Sequence, residues 1–223
     1  MMGYDELRSC LRQATEGYAV NLDEHLLTQL ETYYQLLVEW NQKMNLTAIT
    51  DQKGAAVKHF ADSLAFFNYV SVPENASLID IGTGAGFPGV VLKIVRPDIR
   101  LTLLDRLNKR FLFLHELLSQ LGLEATFLQG RAEEYGQELA CREAYDFAVS
   151  RAVARLNTLS EYCLPFVRLS GSFVAFKGGD YAEELEQARR AVQILGGRLA
   201  GVHTFSLQPD GGSRALIAIE KTQ

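Results

Sequence analysis

The sequence predicts an α/β protein in which a mostly parallel β-sheet follows a group of N-terminal helices. Up to residue 70, apolar residues recur at spacings of three and four, which is the period of an amphipathic helix. After Pro73, short apolar runs alternate with longer amphipathic segments, as in a parallel sheet covered by helices on both faces. We therefore expect an N-terminal helical cap over residues 1–71 and a sheet domain over residues 72–223.

Three helices are expected in the N-terminal part, at residues 4–19, 24–44 and 54–70. Asp23, directly before the second helix, is a typical N-cap residue. The apolar stripe of this helix consists of Leu26, Leu30, Tyr33, Leu37, Trp40 and Met44. So continuous a stripe predicts a helix with one buried face.

Seven strands are expected after residue 72. Apolar runs predict five parallel strands, at residues 78–81, 101–104, 126–128, 146–149 and 172–176. Helices are expected between and after them, at residues 87–95, 107–121, 155–168 and 181–195. The last two strands, 198–207 and 214–221, flank a turn at residues 209–212 and predict an antiparallel hairpin. This order of elements is that of a Rossmann-like, class I S-adenosylmethionine-dependent methyltransferase, which is the fold that we expect.

Composition narrows the class of protein. Hydrophobic residues make up 48% and charged residues 22% of the 223 residues, values typical of a globular chain. No run reaches the ~18 uncharged apolar residues of a membrane span, and residues 1–6 carry no secretory signal pattern. Cys10, Cys141 and Cys163 form no C-x-x-C pair, which argues against a disulfide framework or a zinc site. We expect a cytoplasmic monomer that binds neither membrane nor metal.

The formal charge of −5 is confined to the first third of the chain. Residues 1–75 contain five Lys and Arg against ten Asp and Glu, whereas from residue 76 onward both counts are seventeen. An isoelectric point of 5.5 argues against indiscriminate nucleic-acid binding, because Lys and Arg make most phosphate contacts. The basic residues between 93 and 110 are expected around the mouth of the site, together with Arg142, Arg151, Arg155, Arg168 and Lys177. They are either a solvated surface or a local RNA footprint.

The most informative stretch is the glycine-rich segment 80–89, which follows the first strand of the sheet. Gly82, Gly84 and Gly86 permit positive φ and a close approach of the backbone to a ligand. Phe87 occupies the place of the third glycine of a dinucleotide fingerprint, which disfavours an oxidoreductase. We expect the segment to be the floor of a ligand site. Gly82→Val is then expected to abolish cofactor binding while the helical cap still folds.

Two acids indicate which ligand the segment binds. Asp80, at the end of the first strand, would repel a pyrophosphate but suits the ammonium group of S-adenosylmethionine. Asp105 closes the second strand, where a carboxylate can accept hydrogen bonds from both ribose hydroxyls. The alternative is a structural turn beside a surface acid.

The loop after the third strand is the expected position of the adenine ring. The main-chain N–H of Ala132 and the carboxylate of Glu133 can contact the ring nitrogen and the amino group. Alternatively, Glu133 and Glu134 are simply the acidic first turn of a helix, which the helix dipole stabilises. The sequence leaves both interpretations open.

The end of the fourth strand, Ser150-Arg151, would face the methyl group and carries no general base. It lacks the [DN]-P-P-[YF] of exocyclic-amine methylases and the carboxylates of metal-dependent O-methylases. Carbon-5 pyrimidine methylases need a nucleophilic cysteine near this site, but Cys163 lies on a predicted helix. A purine N7 has no proton to lose, so positioning alone can supply ~7–11 kcal/mol. We therefore expect direct transfer to N7. Arg151 either contacts cofactor or acceptor, or is a surface arginine in a salt bridge.

Six ordered motifs, at residues 45–50, 59–64, 80–89, 130–134, 150–154 and 176–178, resemble those of the RsmG (GidB) family of ribosomal RNA guanine-N7 methyltransferases. The similarity covers about residues 20–220. The resemblance implies an enzyme that uses S-adenosylmethionine to methylate one guanine in the 530 loop of 16S rRNA. The substrate is either free RNA or a small-subunit particle.

The resemblance also implies which residues form the site. The cofactor contacts carried over by position are Gly82, Phe87, Asp105, Ala132, Glu133 and Arg151. Asp80 and Gly84 follow from the general pattern of the fold. The candidates on the substrate side are His59, Asp62, Arg151 and Lys177, with no catalytic base and no metal assigned. Two alternatives stay open: a small-molecule methyltransferase whose helical cap forms a lid, and a non-catalytic RNA-binding assembly factor.

Overall fold

The structure, a computed structural model, describes residues 5–209 and 211–223 and contains one seven-stranded sheet. The strands are β1 (Ser77–Ile81), β2 (Arg100–Asp105), β3 (Thr126–Gln129), β4 (Tyr145–Arg151), β5 (Val167–Gly178), β6 (Gly197–Leu207) and β7 (Gly212–Lys221). The N-terminal helices are α1 (Asp5–Ala14), α2 (Glu24–Asn41), α3 (Gln52–Ala55), α4 (Asp62–Leu64) and α5 (Phe66–Tyr69). The later helices are α6 (Gly89–Val95), α7 (Asn108–Leu121), α8 (Ala132–Tyr135), α9 (Leu156–Cys163) and α10 (Tyr181–Ile194). No helix in the described ranges is both long and apolar enough to cross a membrane.

The order of the strands in the sheet is β3-β2-β1-β4-β5-β7-β6. Strands β1 to β5 are parallel, and β7 is antiparallel to both of its neighbours. This arrangement confirms the predicted fold class. The direction in which strands are added reverses between β1 and β4, and ligands of such sheets bind beyond the carboxyl ends of the strands at that point.

Local sequence explains several boundaries. Asp23 caps α2 as predicted, because its carboxylate accepts a hydrogen bond from the N–H of Leu26 at 2.8 Å. Helix α7 ends at Gly122, whose φ of +64° is the left-handed conformation common at helix ends. All five residues of β1 are buried, which fits a strand inside a parallel sheet.

Some predicted helices differ from the structure. The helix predicted at 54–70 is present over residues 52–69 but is not a regular α-helix, because a π-helical segment (Ala56–Ala61) lies between α3 and α4. The helix predicted at 155–168 ends at Cys163, and β5 begins at Val167, earlier than predicted. Pro165 between them cannot continue the helical hydrogen bonds.

Other boundaries also move. Helices α1 and α2 end at residues 14 and 41, before the predicted 19 and 44. Residue 4 of the first predicted helix and residue 210 of the hairpin turn lie outside the described residues.

The N-terminal helices share a hydrophobic core with the sheet. Tyr33 of α2 and Phe60 of the π-helical segment belong to the same buried cluster as Phe113 of α7. At the rim, the Nε1–H of Trp40 donates to the carboxylate of Glu116 at 2.9 Å. A second cluster lies on the other side of the sheet beneath α9 and α10. The domain boundary near residue 72 stays a prediction.

Candidate active site

The glycine-rich turn connects β1 to α6 and has the predicted backbone conformation. Gly82, Gly84 and Gly86 have φ values of +71°, +59° and +94°. A Cβ at Gly82 would lie 2.5 Å from Val153 Cγ2, and one at Gly86 would lie 2.5 Å from the Tyr33 hydroxyl. At Gly84 the nearest atom would be the carbonyl oxygen of Gly82, at 3.9 Å. Packing of the protein itself therefore requires glycine at 82 and 86, and only Gly84 has open space on that side.

Asp80 lies beneath this turn and is completely buried. Its Oδ2 accepts hydrogen bonds from the Thr83 hydroxyl at 2.8 Å and the Gly89 N–H at 2.9 Å. Its Oδ1 is buried without a hydrogen-bond partner among the described residues. Burial raises the pKa of Asp80 to about 6, against the opposing effect of these hydrogen bonds. One carboxylate oxygen therefore remains available to a further donor.

Asp105, at the end of β2, ties the turn to the neighbouring strand. Its Oδ2 accepts from the Gly84 N–H at 2.9 Å and from Arg110 at 2.8 Å, and its Oδ1 accepts from the Leu107 N–H at 2.9 Å. Only 3% of the residue is exposed, so it is not a surface acid. A ribose would have to use the second lone pair of Oδ1 or displace Arg110. The expected ribose contact stays a prediction.

Phe87 is the centre of an aromatic stack. Its ring is nearly parallel to that of Tyr33, at 4.9 Å between centroids, and to that of His59, at 4.5 Å. The guanidinium carbon of Arg151 lies 5.0 Å from the centroid of the Phe87 ring, within the range of a cation–π interaction. The Tyr33 hydroxyl donates to the carbonyl of Ala85 at 2.5 Å. The stack therefore joins α2, the glycine turn and the end of β4.

Arg151, which is largely but not fully buried, forms an ion pair with the buried carboxylate of Asp62. Its Nη1 donates to Asp62 Oδ2 at 2.9 Å and to the main-chain carbonyl of Lys58 at 3.0 Å. The two side chains are 14% and 6% exposed, so the alternative of a surface arginine in a salt bridge is correct for the salt bridge and wrong for the surface position. Burial raises the pKa of Asp62, and the nearby charge of Arg151 opposes that rise.

His59 links Arg151 to the segment before the π-helix. Its Nδ1 lies 3.4 Å from Arg151 Nη2, and its Nε2 lies 2.9 Å from the Thr47 hydroxyl. The same hydroxyl accepts the N–H of Ile49 at 3.0 Å. Burial and the charge of Arg151 lower the pKa of His59 to about 4. The motifs at 45–50 and 59–64 thus meet in one hydrogen-bonded network.

A cleft of 450 Å³ opens beside this network at the carboxyl ends of β4 and β5. Its lining includes all four candidates on the substrate side, His59, Asp62, Arg151 and Lys177. The Lys177 ammonium is held by Glu184 at 2.5 Å and by the carbonyl of Ala154 at 2.8 Å. The structure brings these residues together, and their roles stay predictions.

Ala132 and Glu133 begin α8 on the far side of the glycine turn. They line a different cavity of 680 Å³, which also borders α9 and α10. Strand β3, which leads into α8, is three strand spacings from β4, roughly 14 Å. A ligand that contacts both Glu133 and Arg151 must therefore be extended across the ends of β2 and β1.

The expectation that the basic residues surround the mouth is wrong for several of them. The Lys93 ammonium donates to the carbonyls of Pro97 and Ile99, in the segment that precedes β2. Arg168 pairs with Asp146 near the start of β4. These residues lie at the amino ends of the strands, opposite the glycine turn.

The sequence did not single out three residues of the site. Thr47 lies within one of the six motifs, but the motif predicts no contact for it, and Tyr33 belongs to the predicted apolar stripe of α2. Arg214 reaches the cleft because β7 pairs with β5, opposite Gly178. No local pattern around residue 214 indicates this, since the contact depends on the pairing of distant strands.

Solved structures share this architecture. A precorrin-6y C5,15-methyltransferase from Geobacter metallireducens superposes with a TM-score of 0.50 and 14% identity, covering 68% of this chain and 82% of that one. The M. jannaschii TYW2 in complex with AdoMet gives 0.52 and 12% identity, covering 66% and 70%. With the strand order and the hairpin, they define the fold class of the protein, that of the class I S-adenosylmethionine-dependent methyltransferases.

Sequence relatives narrow this class to one family. The family model described as rRNA small subunit methyltransferase G (GidB) matches residues 26–216. The protein of that name from Desulforamulus reducens is 46% identical over 98% of this chain and 92% of its own. Its namesake from Staphylococcus aureus is 46% identical over 95% and 88%. The chain therefore belongs to the rRNA small subunit methyltransferase G family.

Proposed function

We infer that this protein transfers the methyl group of S-adenosylmethionine to N7 of a guanine in the 530 loop of 16S rRNA. The observation that supports this most directly is the cleft beside Arg151, which holds cationic side chains but no free base. Family membership supports a ribosomal RNA substrate. We also infer that the protein acts in the cytoplasm as a monomer, on free RNA or on a small-subunit particle.

The residues of the glycine turn fit S-adenosylmethionine. Asp80 Oδ1 is a buried acceptor without a partner in the described chain, and the open side of Gly84 is a space that any side chain would fill. Gly82, Phe87 and Asp105 would hold the middle of the ligand, with Ala132 and Glu133 at one end and Arg151 at the other. When bound, S-adenosylmethionine supplies an electrophilic methyl group.

Proton transfer is not required of the cleft residues. His59 is neutral at physiological pH, and both of its ring nitrogens have partners. Asp62 is paired with Arg151, and Lys177 with Glu184. Guanine N7 carries no proton, so the residues need only hold the base in line with the methyl group, which can supply ~7–11 kcal/mol.

A covalent route through Cys163 has no support. This thiol is completely buried at the end of α9, and burial raises its pKa well above the usual value. A buried neutral thiol is a poor nucleophile. Direct transfer without a covalent intermediate is therefore the mechanism that we propose. Among the described residues, no group of His, Cys, Asp or Glu is arranged to hold a metal ion.

The lining of the cleft favours RNA over a small apolar metabolite. Four cationic side chains reach it, from Lys58, Arg151, Lys177 and Arg214, against two aromatic rings, those of His59 and Phe176. A cationic pocket suits a polyanionic acceptor.

Mapping of modified nucleosides tests the proposal. Mass spectrometry of 16S rRNA should find 7-methylguanosine in the 530 loop of cells with the gene and not in cells without it. Complementation with Arg151→Ala should not restore the mark, whereas the wild-type gene should. A methyl group on an exocyclic amine or a ribose oxygen would contradict transfer to N7. If calorimetry detected no binding of S-adenosylmethionine, that result would instead support a non-catalytic assembly factor.

A further inference from the structure

We propose that Lys58 and Arg214 form a phosphate-binding pair at the cleft, which holds the RNA backbone next to the guanine that is methylated. This assignment rests on the proposed function, since it concerns the acceptor side of the same site. The two residues come from distant parts of the chain, the π-helical segment and β7. Both line the cleft.

Arg214 is held at the cleft, but not all of its hydrogen-bond donors have a partner among the described residues. Its Nε lies 3.5 Å from Asp62 Oδ1, and its Nη1 donates to the carbonyl of Ser213 at 3.0 Å. Its side chain is 26% exposed, and Nη2 has no partner within the described ranges. An arginine held in this way presents donors to an incoming oxyanion, because the planar guanidinium keeps their geometry.

Lys58 lies on the other side of the same ion pair. Its main-chain carbonyl accepts from Arg151, while its exposed side chain lines the cleft and forms no ion pair among residues 5–209 and 211–223. Arg151 binds Asp62 Oδ2, and Arg214 approaches Asp62 Oδ1. Lys58 therefore contacts the Arg151 end of this ion pair through its main chain, and Arg214 contacts the Asp62 end.

The other cationic residues of the cleft are paired with carboxylates, so Lys58 and Arg214 are the cations that can bind RNA. Asp62 would repel a phosphate, but its single negative charge is matched by Arg151 at 2.9 Å, and Arg214 at 3.5 Å adds a second positive charge. Lys177 is held by Glu184, and Arg151 by Asp62. The uncompensated positive charge at the cleft is thus that of Lys58 and Arg214. A backbone phosphate is the anion that every RNA acceptor carries beside the base.

Salt dependence of RNA binding tests this assignment. Binding of a 16S rRNA transcript by wild type, Lys58→Ala and Arg214→Ala is measured from low to high KCl. Methyl transfer is followed on the same transcript and on small subunits from cells that lack the gene. Each alanine variant should lower the slope of log K against log salt by roughly 0.7 to 0.9, the value for one lost phosphate contact. KM for RNA should rise, while the Kd for S-adenosylmethionine stays unchanged.

Two matched variants separate the phosphate contact from general effects. Arg214→Lys keeps the positive charge and should retain the wild-type slope. Arg198→Ala removes an ion-paired arginine from the other end of the same hairpin, where Arg198 lies opposite Glu220, and should bind RNA like wild type. Lys58→Ala removes an exposed side chain and keeps the carbonyl that holds Arg151. It therefore gives an answer even where Arg214→Ala fails to fold.

The outcomes distinguish this inference from the proposed function. If the wild-type enzyme is active and both alanine variants keep its salt dependence of RNA binding, the phosphate-binding pair is overturned. The proposed methyltransferase function would not be affected by that result. If Arg198→Ala lowered the slope of log K against log salt by the same amount, the inference would also be overturned, because the loss of any surface cation would then have this effect. Wild-type protein that transfers no methyl group to either substrate would contradict the proposed function itself.

Discussion

Arg151 is the residue through which the N-terminal helices and the sheet meet. Its guanidinium lies over Phe87 and is held by Asp62, 89 positions earlier in the chain. Removing one partner of a buried ion pair leaves the other charge uncompensated, which typically costs about 3–5 kcal/mol of stability. The helices before the sheet therefore orient the side chain of Arg151, while β4 places its main chain.

His59 adds a directional contact to this ion pair. An arginine only donates, so Nδ1 of His59 accepts from Arg151 and the ring proton lies on Nε2, which donates to the Thr47 hydroxyl. Protonation of Nδ1 would place two positive groups against each other. Burial and Arg151 together therefore keep the ring neutral, with a pKa of about 4.

The first prediction concerns the pH dependence of stability. The pKa of His59 falls from 6.5 in the unfolded chain to about 4 in the folded one, so the unfolded chain binds more protons between these values. The contribution of His59 is fully present above pH 6.5 and is lost as the pH falls towards 4. Asp80, whose pKa rises to about 6, acts in the opposite direction.

Comparison with His59→Gln isolates this contribution. Free energies of unfolding are measured by urea titration of wild type and His59→Gln between pH 4 and 6.5. The stability of wild type relative to the variant should increase as the pH rises. The change in that difference should reach about 3 kcal/mol, from 1.36 kcal/mol per pKa unit. The slope from Asp80 is common to both proteins and cancels. A difference that does not vary with pH would contradict the neutral buried imidazole.

At the scale of elements, the glycine turn is held from both sides. Asp105 binds the N–H of Gly84 from β2, and the Tyr33 hydroxyl of α2 binds the carbonyl of Ala85. Gly82→Val would disturb the protein even without a ligand, because its side chain would meet Val153. The glycines of this motif are thus needed for different reasons, Gly82 and Gly86 for packing and Gly84 for the open space beside it.

The second prediction separates these tasks with single methyl groups. Gly84→Ala should lower the free energy of unfolding by about 1 kcal/mol, from the left-handed backbone alone, and should weaken S-adenosylmethionine binding because the methyl enters the open space. Gly86→Ala should lower it by about 2–4 kcal/mol, because the methyl also meets Tyr33 and Leu114. Urea unfolding and calorimetry measure the two quantities.

Gly122→Ala is the matched control for Gly84→Ala. Gly122 has a similar φ of +64° and nothing within 4 Å of its Cβ position, but it ends α7 away from the turn. It should lose the same stability and keep full cofactor affinity. Unchanged affinity in Gly84→Ala would show that the open side of the turn does not face the ligand.

At the scale of the whole molecule, the shared core joins the predicted cap to the predicted sheet domain. Helix α2 packs against α6 and α7, and Phe60 lies in the same buried cluster as residues of the sheet. A contiguous core of this kind favours unfolding as one unit.

The third prediction uses Trp40, the single tryptophan of the chain, a residue of α2 whose indole N–H donates to Glu116 of α7. Its fluorescence reports the contact between the N-terminal helices and the rest of the protein. Urea transitions followed by this fluorescence and by far-ultraviolet circular dichroism should coincide. A dichroism curve with two steps, of which the fluorescence follows only one, would indicate two independently folding domains with a boundary near residue 72.

Much of the candidate site could be predicted because its signals are local. The glycine segment after β1, the acids that end β1 and β2, and the absence of a base at Ser150-Arg151 are all readable within a few residues. The partners of these residues were not readable. That Arg110 and Gly84 engage Asp105, and that Asp62 engages Arg151, depends on side-chain packing between separate elements.

The sequence by itself determined the seven strands, the parallel sheet with its closing hairpin and the place of the ligand turn, because hydrophobic period and glycine spacing act over one element at a time. Only the tertiary structure decided that the N-terminal helices enter the core, that Arg151 is the partner of the buried Asp62, and that Arg214 reaches the cleft. These contacts join residues 52 to 152 positions apart, from Tyr33 and Ala85 to Asp62 and Arg214, and such pairs meet only once the strands are ordered and the helices packed.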